Sequence, residues 1–257
     1  MSDGEGSTTG QPRTVVVTGG ATGIGKAVAA SFARDGDRVT IVGRREDALR
    51  HTVDELGPRV SWQQADVAER TQIAAAVERI VGEHGTIHVL VNNAGISNRN
   101  VTLATPLEEA EALWDELSRV NVKGVLLTTL ACAPHLARPG GRVVMVSSGA
   151  VFTGGVFPGL MAYAASKAAL HGMMSSLSRE LGADGITVNT IAPGVIVDTE
   201  MTAGIPADDH LRLAAATVTK QVGHPEDIAA AVRHLASPAA QFVSAQVLQV
   251  DGGRLPG

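Results

Sequence analysis

The sequence predicts an α/β fold, a doubly wound parallel sheet of about seven strands in a single domain. Three observations carry this. Short β-branched runs alternate with helix-length segments from one end of the 257 residues to the other. The centres of those runs are nearly continuous Val, Ile and Leu, as strands buried on both faces require. No linker, repeat or break in composition divides the body of the chain.

Taken in order, strands are expected at 14–18, 38–42, 60–65, 88–91, 142–146, 186–191 and 246–250. Amphipathic stretches at 25–35, 69–84, 107–133 and 161–182 read as helices between them. Alternation of this kind makes right-handed crossovers and a Rossmann-type sheet, which binds ligands at the carboxyl ends of its strands. Residues 1–12, rich in Gly, Ser and Thr, read as a disordered tail, leaving 13–257 as the folded domain.

Composition narrows the class. A 257-residue chain that is 44% hydrophobic supports a core without disulfides or metals. Its 21 basic and 26 acidic residues, net −5, lie without long runs and give no case for binding nucleic acid. Cys132, the single cysteine, sits in an apolar stretch and reads as a small buried hydrophobe in a reducing compartment. No signal-peptide core and no run of roughly 18 apolar residues is present, so a soluble, cytoplasmic protein is expected. His84 and His88 are separated by Gly85, and H-E-x-x-H is absent, so no metal site is expected. Ser147 and Ser148 lack a G-x-S-x-G elbow, which argues against a serine hydrolase.

The first strand runs into Gly19-Gly20-Ala21-Thr22-Gly23-Ile24-Gly25. Gly19 permits a tight turn, Gly23 a close approach of backbone to a pyrophosphate, and Gly25 close helix–strand packing. The helix start at Thr22 to Gly25 then offers free N–H groups to phosphates. After the second strand comes Gly43-Arg44-Arg45, where an acidic residue would favour NAD. Two arginines there suit a 2′-phosphate, with Arg44 the main partner and Arg45 a helper, so NADP(H) is expected and NAD(H) stays possible. Tyr163 and Lys167 are four apart on a helix and share a face; Tyr163 is the only tyrosine. A neighbouring ammonium and a nicotinamide ring are both expected to lower its pKa toward working range.

The T-G-x-x-x-G-x-G turn, Asn92-Asn93-Ala94-Gly95, Tyr163-x-x-x-Lys167 and Pro193-Gly194 together resemble the short-chain dehydrogenase/reductase family, from about Arg13 to Gly253. The resemblance implies that Asp66 and Val67 hold the adenine, that Asn93, Ala94 and Gly95 line the cofactor cleft, and that Pro193, Gly194, Ile196 and Thr199 hold the carboxamide end. Alone, Asp66 also reads as a helix cap. It further implies a catalytic set of Asn121, Ser148, Tyr163 and Lys167, with Ser147 the second choice for the serine. Ser148 would orient a carbonyl, Tyr163 protonate it, Lys167 hold the ribose and tune Tyr163, and the Asn121 backbone carbonyl anchor a water. The family's basic residue in the first turn is replaced by Thr22. The chain also has a lengthened segment at 149–160 over the substrate, and a lid is expected from Asp198 to about Val222. Val250-Asp251-Gly252-Gly253 is similar to the ending of 3-oxoacyl-carrier-protein reductases, which implies a homotetramer. No charged substrate-pocket residue is evident, which suits a moderately hydrophobic ketone or acyl thioester. An alcohol dehydrogenase running oxidatively with NAD and a non-catalytic NADP(H) sensor are the alternatives.

Overall fold

A computed structural model describes residues 11–97, 101–155 and 157–254. Residues 1–10 of the expected tail lie outside this range, as does Val156 in the segment before Tyr163. The strands are β1 (Thr14–Thr18), β2 (Arg38–Gly43), β3 (Val60–Gln64), β4 (Val89–Asn92), β5 (Arg142–Val146), β6 (Thr187–Pro193) and β7 (Val247–Val250). All pair in parallel in the order β3-β2-β1-β4-β5-β6-β7, so the expected seven-stranded sheet is present.

Side-chain alternation divides the core into two layers. Val15, Val17, Val89, Val91, Val144 and Val146 feed one face; Val16, Leu90, Val143 and Met145 feed the other. Every residue of β1, β5 and β6 is buried, which explains why β1 and β5 are apolar through their centres rather than alternating; in β6 the polar Thr187, Asn189 and Thr190 are buried as well.

The helices are α1 (Gly23–Arg34), α2 (Glu46–Leu56), α3 (Arg70–His84), α4 (Leu107–Ser118), α5 (Gly124–Cys132), α6 (Ala150–Thr153), α7 (Met161–Gly182), α8 (Ala207–Ala215) and α9 (Pro225–Leu235). Val28 and Phe32 of α1 meet Ile228 and Val232 of α9 on one layer, all four fully buried. Each such burial contributes about 1.5–3 kcal/mol. On the other layer Ile73, Val77 and Ile80 of α3 join Leu170, Met174 and Leu177 of α7. Pro225 opens α9 and the Asp227 carboxylate accepts from the His224 amide at 2.8 Å, fixing its start.

Two expectations need correction. The helix expected at 107–133 is not continuous: a π turn, Arg119–Lys123, separates α4 from α5, and a 3₁₀ turn follows at Ala133–His135. The lid segment from Asp198 to Val222 contains α8 rather than loop alone. Among the described residues, no helix is long and apolar enough to cross a membrane.

The chain leaves β3 at one edge of the sheet and returns beside β1 as β4. Strand order reverses there, opening a crevice beyond the carboxyl ends of β1 and β4.

Candidate active site

A cavity of about 480 Å³ occupies this crevice. Its floor is the turn after β1. Gly19 has φ +63°, and a Cβ there would lie 2.8 Å from the Ala94 Cα; a Cβ on Gly25 would lie 2.1 Å from the Gly19 oxygen. Only glycine lets the turn fold back so closely. Helix α1 begins at Gly23 with no side-chain cap from Thr22, so its first-turn amides have no side-chain acceptor. Uncapped amides and the helix dipole make a cradle for a pyrophosphate. Thr22, Ile24 and Thr199 stand on the same wall. A Cβ on Gly23 would reach within 3.2 Å of Thr199 Cγ2, so the segment after β6 closes over the cradle.

Beyond β2, Arg44 is exposed, lines the cavity and makes no hydrogen bond or ion pair with its guanidinium among the described residues. Arg45 instead pairs with Glu200 at 2.6 Å, an engagement that sequence reading did not foresee. Asp66 is not the cap of α3, whose cap position is Glu69. Its carboxylate accepts from the Ala68 amide at 3.0 Å and from Arg119 at 3.1 Å. Burial pushes the Asp66 pKa up, but that amide, Arg119 and Arg44 together bring it below its ordinary value. Val67 lines the cavity beside it.

Thr18, which sequence reading passed over, organises the turn after β4. Its hydroxyl accepts from the Asn93 amide at 3.1 Å and the Ala94 amide at 3.0 Å. The Asn93 side-chain amide donates back to the Thr18 and Gly19 carbonyls at 3.1 and 3.0 Å, binding the two strand ends together. Gly95 follows, where a Cβ would come within 2.9 Å of Lys167 Nζ.

Asn121 lies in the π turn, fully buried. Its side chain accepts from the Ile96 amide and donates to the Ile96 carbonyl, both at 2.9 Å, and donates to Ser166 Oγ at 3.0 Å. The side chain therefore ties α7 to the turn after β4, a bracing role distinct from the backbone role expected of it.

At the end of β5 the two serines part ways. Ser147 is buried, donating to the Lys167 carbonyl and meeting His171 Nε2, both at 3.0 Å. Ser148 is half-buried, lines the cavity with Tyr163 and lies near enough to favour its phenolate. Tyr163 and Lys167 lie on one face of α7, as their spacing requires. Lys167 Nζ donates to the Val146 carbonyl at 2.9 Å, and burial lowers its pKa to about 8. The Tyr163 hydroxyl points at Met201 Sδ, 3.9 Å away. Burial raises its pKa, and Ser148 offsets this only in part. Desolvation of a phenolate outweighs everything else this chain brings to the group.

Pro193, Gly194 and Ile196 flank the cavity beside Tyr163. The segment before Tyr163 holds the short helix α6, with Thr153, Gly155, Phe157 and Leu160 on the cavity wall. Arg254, which sequence reading did not single out, also lines the cavity. Nothing in the linear pattern after Gly253 marks it, because only the turn of the chain beyond β7 brings it here. Cys132 is fully buried, and burial raises its thiol pKa to about 12, which leaves it inert. Among the described residues, no cluster of three or more His, Cys, Asp or Glu could hold a metal ion.

The family described as short chain dehydrogenase matches residues 13–210. The chain is 35% identical to a 3-oxoacyl-[acyl-carrier-protein] reductase of Chlamydia muridarum, over 94% of this chain and 96% of that one. It is 38% identical to a (2S)-[(R)-hydroxy(phenyl)methyl]succinyl-CoA dehydrogenase subunit of Thauera aromatica, over 95% and 97%. Among solved structures it is similar to a blue fluorescent protein from a metagenomic library in complex with NADPH, with TM-score 0.82 and 35% identity, covering 94% of this chain and 97% of that one.

Proposed function

Because this chain belongs to the short-chain dehydrogenase family, whose members are nicotinamide-dependent oxidoreductases, we propose that it reduces a carbonyl to an alcohol, or the reverse, with NADP(H). The observation that carries this reading is that Ser148, Tyr163 and Lys167 line one cavity, with Tyr163 and Lys167 on the same face of α7.

The first-turn amides of α1 suit the pyrophosphate, Asp66 and Val67 the adenine, and the unpaired Arg44 a 2′-phosphate. Asn93, Ala94, Gly95, Pro193, Gly194, Ile196 and Thr199 complete the cofactor wall. A bound nicotinamide supplies or accepts the hydride. Ser148 donates to the substrate oxygen and Tyr163 delivers the proton to it. Burial keeps the phenol neutral, so Tyr163 carries the proton it delivers. Lys167, anchored by the Val146 carbonyl, sits where a ribose hydroxyl can reach it and where its charge assists loss of the phenolic proton. Asn121 positions α7 against the cofactor wall.

The NADPH-bound relative and the reductase relative support NADP(H) over NAD(H). The two enzyme relatives act, by name, on different substrates at similar identity, so likeness leaves the substrate class open. A ketone or acyl thioester of moderate hydrophobicity suits walls built from Phe157, Leu160 and Met201. Exposed Trp114, Leu126 and Leu130 on α4 and α5, with Phe242 and Leu248 near the open edge at β7, supply apolar faces for the homotetramer implied by the family. The balance of charge and the absence of a described membrane-crossing helix suit a cytoplasmic enzyme.

The test is a spectrophotometric screen of NADPH and NADH oxidation over 3-oxoacyl thioesters, cyclic ketones, quinones and steroids, on wild type and Arg44→Asp. NADPH should support the higher kcat/KM, and Arg44→Asp should shift the NADPH/NADH ratio at least about tenfold toward NADH. Higher kcat/KM with NADH in the wild type would reverse the cofactor assignment. Tight NADPH binding without turnover of any carbonyl would leave a sensor as the better reading.

A further inference from the structure

We propose that Arg254 is an anchor for an anionic group on the substrate, so that the carbonyl compound this enzyme reduces also carries a carboxylate or phosphate. The inference rests on the reading of the cavity as a reductase site and adds the substrate's charge to it.

Four observations converge. First, Arg254 is held in place by backbone, not by chance of a flexible tail. Beyond β7 the chain turns through Gly252 and Gly253, with φ +68° and +69°, and their carbonyls accept from Thr219 and Val218. Arg254 then pairs in an antiparallel bridge with Thr217, just past α8. Second, this turn lies at the nicotinamide end of the cleft. The Gly194 amide donates to the Val250 carbonyl at 2.9 Å, and a Cβ on Gly194 would sit 2.7 Å from the Asp251 Cα. The 2′-phosphate candidate, Arg44, belongs to the opposite end, past β2.

Third, Arg254 is half-buried on the cavity wall, and its guanidinium has no hydrogen-bond or ion-pair partner among the described residues. Asp251, the nearest acid in sequence, accepts from the Gly253 amide at 2.9 Å instead. Fourth, apart from Arg44 at the far end, the remaining charges of the cavity are already engaged. Glu200 is neutralised by Arg45, Asp66 by Arg119, and Lys167 is hydrogen-bonded to Val146. An arginine left unpaired in a cavity that Phe157, Leu160 and Ile205 also line has a fork of donors and no acceptor. Carboxylate and phosphate oxygens match that fork in a bidentate fashion.

The two sources of such an anion are a carboxylate of the reacting molecule and a phosphate of a thioester carrier. Acetoacetate, methyl acetoacetate and 3-oxobutanoyl coenzyme A separate them, assayed with NADPH at pH 7 on wild type, Arg254→Ala and Arg254→Lys. The wild type should favour an anion over the neutral ester by about tenfold or more in kcat/KM. Arg254→Ala should abolish that preference and Arg254→Lys retain part of it, with the Kd for NADPH unchanged in both. A loss confined to acetoacetate assigns the carboxylate, and one confined to the coenzyme A ester assigns the phosphate. An equal preference in wild type and Arg254→Ala overturns the proposal. So does a weakened NADPH Kd in Arg254→Ala with the anion preference intact, because the arginine would then serve the cofactor. Failure of all three compounds as substrates would leave the reductase reading to the wider carbonyl screen. Calorimetric titration of the NADP⁺ complex with acetoacetate and with 3-oxobutanoyl coenzyme A then still decides the anchor: binding of either that is lost in Arg254→Ala upholds it, and no binding of either to wild type overturns it.

Discussion

Arg45 and Glu200, from the turn after β2 and the segment after β6, join across the cofactor cleft in an ion pair of 2.6 Å. Both side chains are 60% exposed, so the pair contributes at most about 1 kcal/mol. It nevertheless occupies the arginine expected to help Arg44 with a 2′-phosphate. Glu200→Gln should free Arg45 and tighten NADPH binding by up to about fivefold while leaving NADH unchanged. Fluorescence titration with both cofactors checks this; equal changes for the two would remove Arg45 from phosphate recognition.

Tyr163→Phe keeps the ring and deletes the proton. The kcat should fall by ~10²–10⁴-fold while the Kd for NADPH stays within about threefold. Steady-state kinetics beside equilibrium titration separates the two quantities, and near-normal turnover would mean another group supplies the proton.

Lys167 carries a prediction about stability. Its pKa is lowered to about 8 in the fold and returns to about 10.4 on unfolding. Between those values the unfolded chain binds the proton and the native one does not, so stability rises with pH. Below pH 8 both states are charged and the fold bears the full cost of burying the ammonium. Relative to Lys167→Met, the cofactor-free wild type should gain stability from pH 8 to 10, by up to about 3 kcal/mol. Urea unfolding of both proteins across that range measures the difference, and a flat difference would show that Lys167 keeps its ordinary pKa.

Asn121→Ala removes three hydrogen bonds from a fully buried position and strands the Ile96 amide and carbonyl. The expected loss is about 3 kcal/mol, read by denaturant midpoint, with a fall in kcat as α7 loosens from the cofactor wall. A variant with unchanged midpoint would show that water replaces the amide at no cost.

What the sequence made legible follows from how strictly each feature is imposed. Strands β1 and β5 are buried on both faces, so their apolar runs could hardly be misread. The glycine turn is equally plain, because Gly19 and Gly25 meet backbone atoms that admit no Cβ. Helices α2, α8 and α9 were not picked out; only Leu49 and Thr52 of α2 are buried, which leaves a weak apolar stripe. The choice between Ser147 and Ser148 rests on which way adjacent side chains face at the end of β5. In the cofactor-free chain burial, invisible in a linear pattern, raises the Tyr163 pKa, whereas the expected lowering included a bound nicotinamide. Thr18, Arg254 and the Arg45–Glu200 pair act through partners distant in the chain, and no local spacing announces them.

The π turn at Arg119–Lys123 has a consequence for how the protein can change over time. A surface loop absorbs a lost or gained residue; this stretch cannot. Each residue of a helix advances the phase by about 100°, so closing the π turn into regular helix by deleting one position would swing Asn121 away from Ile96 or turn Val125, Thr128 and Cys132 out of the core. The chain length between Trp114 and Cys132 is thus a clocked interval, and variants that alter it by a single residue should be purged while substitutions along it are tolerated.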